Sequence, residues 1–117
     1  MKLAVVGSRT ITDKDFVFKT LDYFTKNVKE EIVVVSGGAR GLDSLAADWA
    51  GSKGHKTEVY LPEYDKFPSK IAPIIRNKTI MENSTHCIAF IKNNSRGTLN
   101  AIENAKKLNL IIRIVEV

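Results

Sequence analysis

Apolar and polar positions alternate along this chain in blocks that switch between two periods. Lys2 to Val6 is a short apolar run broken by Gly7-Ser8-Arg9, the pattern of a buried strand and a tight turn. Thr12-Asp13-Lys14-Asp15 resembles a capping box, with Thr12 as the expected N-cap. Phe16, Val17, Thr20, Leu21, Phe24 and Val28 then recur at helical spacing. Glu31 to Ser36 is β-branched at four consecutive positions and predicts a second strand. Leu42, Leu45, Ala46, Trp49 and Ala50 mark one face of a second helix, which Gly51 or Gly54 can end. Thr57, Val59 and Leu61 alternate in a third strand over His55 to Leu61. A third helix carries Pro73 in its first turn and runs to about Glu82. Thr85 to Ile91 predicts a fourth strand, and Thr98 can cap a fourth helix bearing Leu99, Ile102 and Ala105. Leu110 to Val117 predicts the last strand.

Five apolar strands alternating with four helices predict a Rossmann-like, doubly wound parallel sheet, with helices on both faces and right-handed crossovers. In such sheets ligands sit at the carboxyl ends of the strands, where the strand order reverses. With the order 3-2-1-4-5, the turns after strands one and four border that crevice and the turn after strand two lies beside them. These turns hold Gly7-Ser8-Arg9, Ser36 to Gly41, and Ser95-Arg96-Gly97-Thr98. The length of 117 residues is that of a single domain over 1–117.

Charge refines the choice of ligand. A formal net charge of +5 fits either a nucleic-acid surface or a solvated basic face around an anion pocket. Arg9, Arg40, Arg76 and Arg96 fall in or beside expected turns or helix starts, whereas the lysines are scattered along helices. Arginine reads phosphate and carboxylate through two parallel donors, so its concentration at turns favours a discrete pocket. One cysteine, Cys87, excludes an internal disulfide and fits a reducing compartment. The apolar Leu3-Ala4-Val5-Val6 run is shorter than a secretory signal core, and no run approaches a membrane span. These features predict a cytoplasmic chain without membrane partners. A homo-oligomer is compatible with the pattern, which does not require one.

Individual residues carry competing roles. Gly37, Gly38 and Gly41 either serve turn geometry or let the backbone approach a ligand. Their spacing matches neither the dinucleotide fingerprint nor the Gly-Lys-Ser/Thr phosphate loop. Asp43 either complements a helix dipole or accepts ribose hydroxyls or a base amine. Arg76 and Asn77 suit a phosphate and a sugar, or form a surface pair. Ser95, Arg96, Gly97 and Thr98 form a second anion cradle at a helix start. Ser8 and Ser36 read as phosphate-turn hydroxyls. Tyr64 and Phe67 either stack on a base or pin a loop, Trp49 reads as core, and Asp48 as solvated. Two histidines and one cysteine without clustered acids give no metal site, and no cofactor is expected.

Val5-Val6-Gly7-Ser8-Arg9, Ser36-Gly37-Gly38-Ala39-Arg40-Gly41-Leu42-Asp43, Ile75-Arg76-Asn77, and Ile88-Ala89-Phe90 with Arg96-Gly97-Thr98 occur in the order of a known pattern. The chain resembles the SLOG superfamily over nearly its whole length, and within it the small single-domain YspA-like proteins. The resemblance implies a domain that binds nucleotides or nucleotide derivatives. Its relatives include phosphoribohydrolases that release cytokinin bases, the DNA-processing protein A that binds single-stranded DNA, molybdenum-cofactor carriers and sensors of nucleotide signals. The shared pocket elements would fall on Gly7, Ser8, Arg9, Gly37, Gly38, Arg40, Asp43, Arg76, Asn77, Gly97 and Thr98.

One departure bears on chemistry. The phosphoribohydrolases carry Pro-Gly-Gly-x-Gly-Thr-x-x-Glu, whose glutamate assists N-glycosidic cleavage; here that position is Ala101. Glu103 lies two residues on, on about the opposite side of a helix. Loss of a charge that stabilises an oxocarbenium-like state costs orders of magnitude in rate. The expected function is therefore binding of a nucleotide or nucleotide-derived small molecule, as sensor, carrier or sequestering protein. The alternatives are a nucleotide N-glycosidase using Asp43 as acid/base and Arg76 as phosphate reader, and a single-stranded DNA binder.

Overall fold

A computed structural model describes all residues 1–117. Strands β1 (Lys2–Gly7), β2 (Val33–Ser36), β3 (Lys56–Val59), β4 (His86–Ile91) and β5 (Ile111–Glu116) form one parallel sheet in the order β3-β2-β1-β4-β5. Helices α1 (Lys14–Thr25), α2 (Leu42–Lys53), α3 (Ala72–Glu82) and α4 (Arg96–Lys107) fill the crossovers. The expected architecture and strand order are both present. No helix is long and apolar enough to cross a membrane.

The period of two along each inner strand divides the core into two layers. Leu3, Val5, Val34, Ile88 and Phe90 face α1 and α2, packing on Val17, Leu21, Leu42, Ala46 and Trp49. Ala4, Val6, Val35, Cys87 and Ala89 face α3 and α4, packing on Ile80, Met81, Ala101, Ile102 and Ala105. Small side chains meet on this second face, so α4 lies close to the sheet and its first turn comes down beside the end of β4. Trp49 is buried, and its indole Nε1–H donates to Asp22 Oδ1 at 2.9 Å, tying α2 to α1.

Local geometry revises four expectations. Asp13, not Thr12, caps α1, its Oδ1 accepting the Phe16 N–H at 3.1 Å. That helix stops at Thr25, and Val28 packs on the core from the turn beyond it. Ser95, not Thr98, stands at the α4 N-cap; Thr98 is inside the first turn and buried. In β3 the alternating apolar set points the other way: Val59 is 49% and Leu61, just past the strand end, 64% exposed, while Tyr60 packs against the core and Glu58 pairs with Lys2 at 2.9 Å. Tyr60 reaches the α3 side of the core, and its hydroxyl donates to Glu58 at 3.2 Å. An edge strand needs only one covered face, and the large aromatic ring wins it.

Two glycines at the ends of α2 are expected to respond oppositely to alanine. Gly41 has φ +69°, and a Cβ there would meet the Arg9 backbone. Gly51 sits inside the helix with nothing within 4 Å of an added Cβ. Urea denaturation should show Gly41→Ala losing roughly 2–4 kcal/mol and Gly51→Ala gaining roughly 0.5–1 kcal/mol.

Candidate nucleotide cleft

Between β1 and β4 the strand order reverses, and consecutive crossovers leave in opposite directions. A cleft of about 320 Å³ opens there, on the α3/α4 side of the carboxyl edge. Val6, Ile80 and Ala101 line its apolar part. The β1 turn contributes Gly7, Ser8 and Arg9, the β2 turn Gly37 and Ala39, and α2 contributes Asp43. From α3 come Pro73, Arg76 and Asn77, and from α4 Ser95, Gly97 and Thr98. Ten of the fifteen candidate residues thus meet around one space.

The other five stand elsewhere. Ser36 is buried at the end of β2. Gly38 faces the outer side chains Val59 and Leu61. Gly41 packs on the Arg9 backbone. Arg40 and Arg96 are exposed outside the lining. Tyr64 is exposed and Phe67 lines a separate small cavity with Tyr60 and Ile75. Asp48 is exposed. Val6, Ala39, Pro73 and Ile80 were not among the candidates. Pro73 and Ile80 lie three before and four after Arg76, so helical spacing alone places them on its face.

Arg76 is held from two sides. Its Nη1 donates to the Gly37 carbonyl at 2.9 Å and its Nε to Asn77 Oδ1 at 3.2 Å. The absence of a side chain at position 37 lets the guanidinium sit there: a Cβ would displace it and come within 3.1 Å of Asp43 Oδ2. Asp43 is only 9% exposed, and its Oδ2 accepts the Ala39 N–H at 3.0 Å. Burial pushes the Asp43 carboxyl above its ordinary range, against the opposing pull of the Ala39 N–H, Arg76 and Arg9. Burial likewise lowers Arg76, while the nearby Asp43 charge raises it. No arginine in the chain forms an ion pair within 4.0 Å.

The two helix starts at the cleft differ. The first turn of α2 carries Asp43, which already supplies negative charge, and the Leu42 N–H lies 3.4 Å from the Ser8 carbonyl. The first turn of α4 has no acidic residue and no side-chain cap. Its leading N–H groups and dipole are therefore available to an anion. Thr98, 3% exposed, lines this end, and its Oγ1 is a buried side-chain atom without a hydrogen-bond partner. Thr20, Thr25, Thr79 and Ser84 each donate to the carbonyl four residues earlier. Four residues before Thr98 is Asn94, in the turn with φ +50°, where the helical ladder has not begun. An orphaned buried hydroxyl costs about 1–3 kcal/mol.

Catalytic options are few. Asp43 is the one acidic residue lining the cleft. Ala101 lines it without a polar group, and Glu103 points outward to Lys107, 3.1 Å away. No three His, Cys, Asp or Glu side chains converge into a metal-binding group. Cys87 is buried in the core, its thiol pushed up to about 12 by burial.

A Rossmann-like sheet with a glycine- and arginine-built cleft at its reversal point defines a class, and comparison with known proteins places the chain within it. Residues 1–67 match the family described as "YspA, cpYpsA-related SLOG family", and the chain belongs to that family. It is 28% identical over 114 residues to the gene 61 protein of Mycobacterium phage D29, covering 93% of this chain and 91% of that one. Its fold is similar to DNA processing protein A from Streptococcus pneumoniae, with a TM-score of 0.75 and 24% identity over 97% of this chain. It is also similar to DNA processing protein A from Helicobacter pylori, whose structure describes a single-stranded DNA binding mode, with a TM-score of 0.74 and 21% identity over 97% of this chain. The chain spans 49% and 64% of those two proteins.

The state of Asp43 has a measurable consequence. Its carboxyl titrates higher in the native state than near 4 in the unfolded chain. Within that window the native state holds the proton and the unfolded state does not, so stability falls as pH rises through it. Asp43→Asn removes this component. Urea denaturation against pH should show wild type losing stability relative to Asp43→Asn from pH 4 upward, levelling above the native value. Parallel curves would show that Asp43 does not titrate as a buried carboxyl.

Proposed function

We propose that the cleft binds a nucleotide or nucleotide-derived small molecule, as a sensor, carrier or sequestering protein. The observation that carries this reading is the buried, unpartnered Thr98 hydroxyl beside an uncapped helix start. A phosphate oxygen supplies the acceptor that Thr98 lacks, and the first-turn N–H groups of α4 complete its cradle. Ser95 and Arg9 also line the cleft. Arg76 keeps guanidinium N–H groups beyond its two internal hydrogen bonds. Asp43, an acceptor while ionised, and the Asn77 amide suit hydroxyl or amino groups of a sugar and base. A volume near 320 Å³ lies at the small end of ligand sites, the scale of one nucleotide unit. Ala101 at the apolar part of the cleft favours binding over N-glycosidic cleavage, which would fall to Asp43 alone.

A specific observation favours a second reading, binding of single-stranded DNA. Arg9, Arg40 and Arg96 lie in or at the end of the turns that follow β1, β2 and β4, three neighbours in the sheet, and all are exposed and free of ion pairs. The fold similarity to the Helicobacter pylori protein adds weight to this reading.

Thermal unfolding with nucleoside mono- and diphosphates tests the first reading. A ligand at one hundred times its Kd adds about 2.7 kcal/mol, several degrees for a domain of this size. Gly97→Ala places a methyl group in open space lining the cleft, with nothing of the protein within 4 Å. This variant should keep or raise the ligand-free Tm, yet lose most of the nucleotide-induced shift. No shift with any nucleotide, or an undiminished shift in Gly97→Ala, contradicts the reading. Oligonucleotide affinity falling with log salt at a slope near −2, as expected for about three phosphate contacts, would promote the DNA reading.

A further inference from the structure

The cleft is backed by a chain of side-chain amides that leads out of it. Arg76 Nε donates to Asn77 Oδ1, and Asn77 Nδ2 donates to Asn100 Oδ1 at 3.2 Å. Asn104 Nδ2, one turn further along α4, donates to the same Asn100 oxygen at 3.4 Å. One member of this network fixes the orientation of every amide in it. Arginine has donors only, so the Asn77 oxygen must face Nε and its nitrogen must face away. That nitrogen then needs an acceptor, which the Asn100 oxygen provides. Reversing either amide would set donor against donor, or acceptor against acceptor.

From this we propose that Asn100 is a positioning residue for Arg76. It does not line the cleft. It acts through Asn77, holding that amide so that Arg76 is gripped at Nε as well as at Nη1. Two anchors on one planar group fix its plane, and the remaining N–H groups are then aimed before any ligand arrives. With Nη1 alone bonded to Gly37, the guanidinium can swing about that single contact. A preset donor plane is what bidentate recognition of an anion needs. The effect on binding rests on the nucleotide reading above; the effect on Arg76 itself does not.

The test follows the Arg76 Nε–H proton by ¹⁵N NMR, assigned by its loss in Arg76→Lys. In wild type this proton should exchange slowly. Asn100→Leu, similar in size and without an acceptor, should speed its exchange more than tenfold. Asn100→Asp keeps the acceptor and should restore slow exchange. Asn104→Ala, on the same helix face, should leave it slow. If Asn100→Leu does not fold, Asn100→Ala carries the same expectation. With AMP as the probe, affinity should fall about tenfold in Asn100→Leu and return to within twofold in Asn100→Asp. Unchanged exchange in Asn100→Leu, or equal acceleration in Asn104→Ala, overturns the proposal; the second outcome would mean general loosening between α3 and α4. If wild type binds no AMP, the nucleotide reading fails, and the exchange comparison still decides the role of Asn100.

Discussion

The hydrogen bond from Arg76 to the Gly37 carbonyl joins parts of the molecule that the sheet otherwise keeps apart. Gly37 belongs to the turn that leads into α2 on one face, whereas Arg76 belongs to α3 on the other. The bond needs position 37 to have no side chain, and it brings a guanidinium up beside the Asp43 carboxylate. The cleft thereby gains opposite charges that are not paired to each other within 4.0 Å. A buried acid and a half-buried base held close without closing into an ion pair leave polar capacity that a ligand can use.

The fold was largely legible in the sequence because each element carries its own periodic signal. Both faces of β1 and β4 are covered, so these strands read as continuous apolar runs, while α2 and α4 show one-sided stripes. Legibility failed where two local solutions have nearly equal energy. Asp13 and Thr12 are both good caps, and one residue of phase decides between them. Thr98 has the chemistry of a cap, but the helix begins earlier and encloses it. In β3, Val59 and Leu61 have the apolar character of a core face, and Tyr60 takes that face by burying more surface.

The site was legible at the level of turns and less so at the level of side chains. The glycine- and arginine-bearing turns after β1, β2 and β4 lie along one edge, because a doubly wound sheet sends those turns to one place. Gly38 and Gly41 shape their turn without facing the cleft, a distinction that depends on backbone angles. The α2 loop, the most glycine-rich stretch, would serve as the anion end on composition alone. Asp43 instead gives that end a carboxylate, and the open helix start is that of α4. The apolar lining from Val6 carries no chemical signal in the sequence, and that from Ile80 only its spacing from Arg76.

Binding and catalysis separate at one position in this arrangement. The phosphoribohydrolase pattern that the sequence resembles carries a glutamate where this chain has Ala101, which lines the cleft without a polar group. In the proposed reading, the polar groups that remain hold a phosphate and read what is attached to it. The most direct measurement is a crystal structure of the protein soaked with AMP. Phosphate oxygens are expected within hydrogen-bonding distance of the Gly97 and Thr98 N–H groups and of Thr98 Oγ1, with the nucleoside lying toward Asp43. A nucleotide bound away from α4, or a cleft in which Thr98 remains without a ligand acceptor at saturating AMP, would contradict this placement.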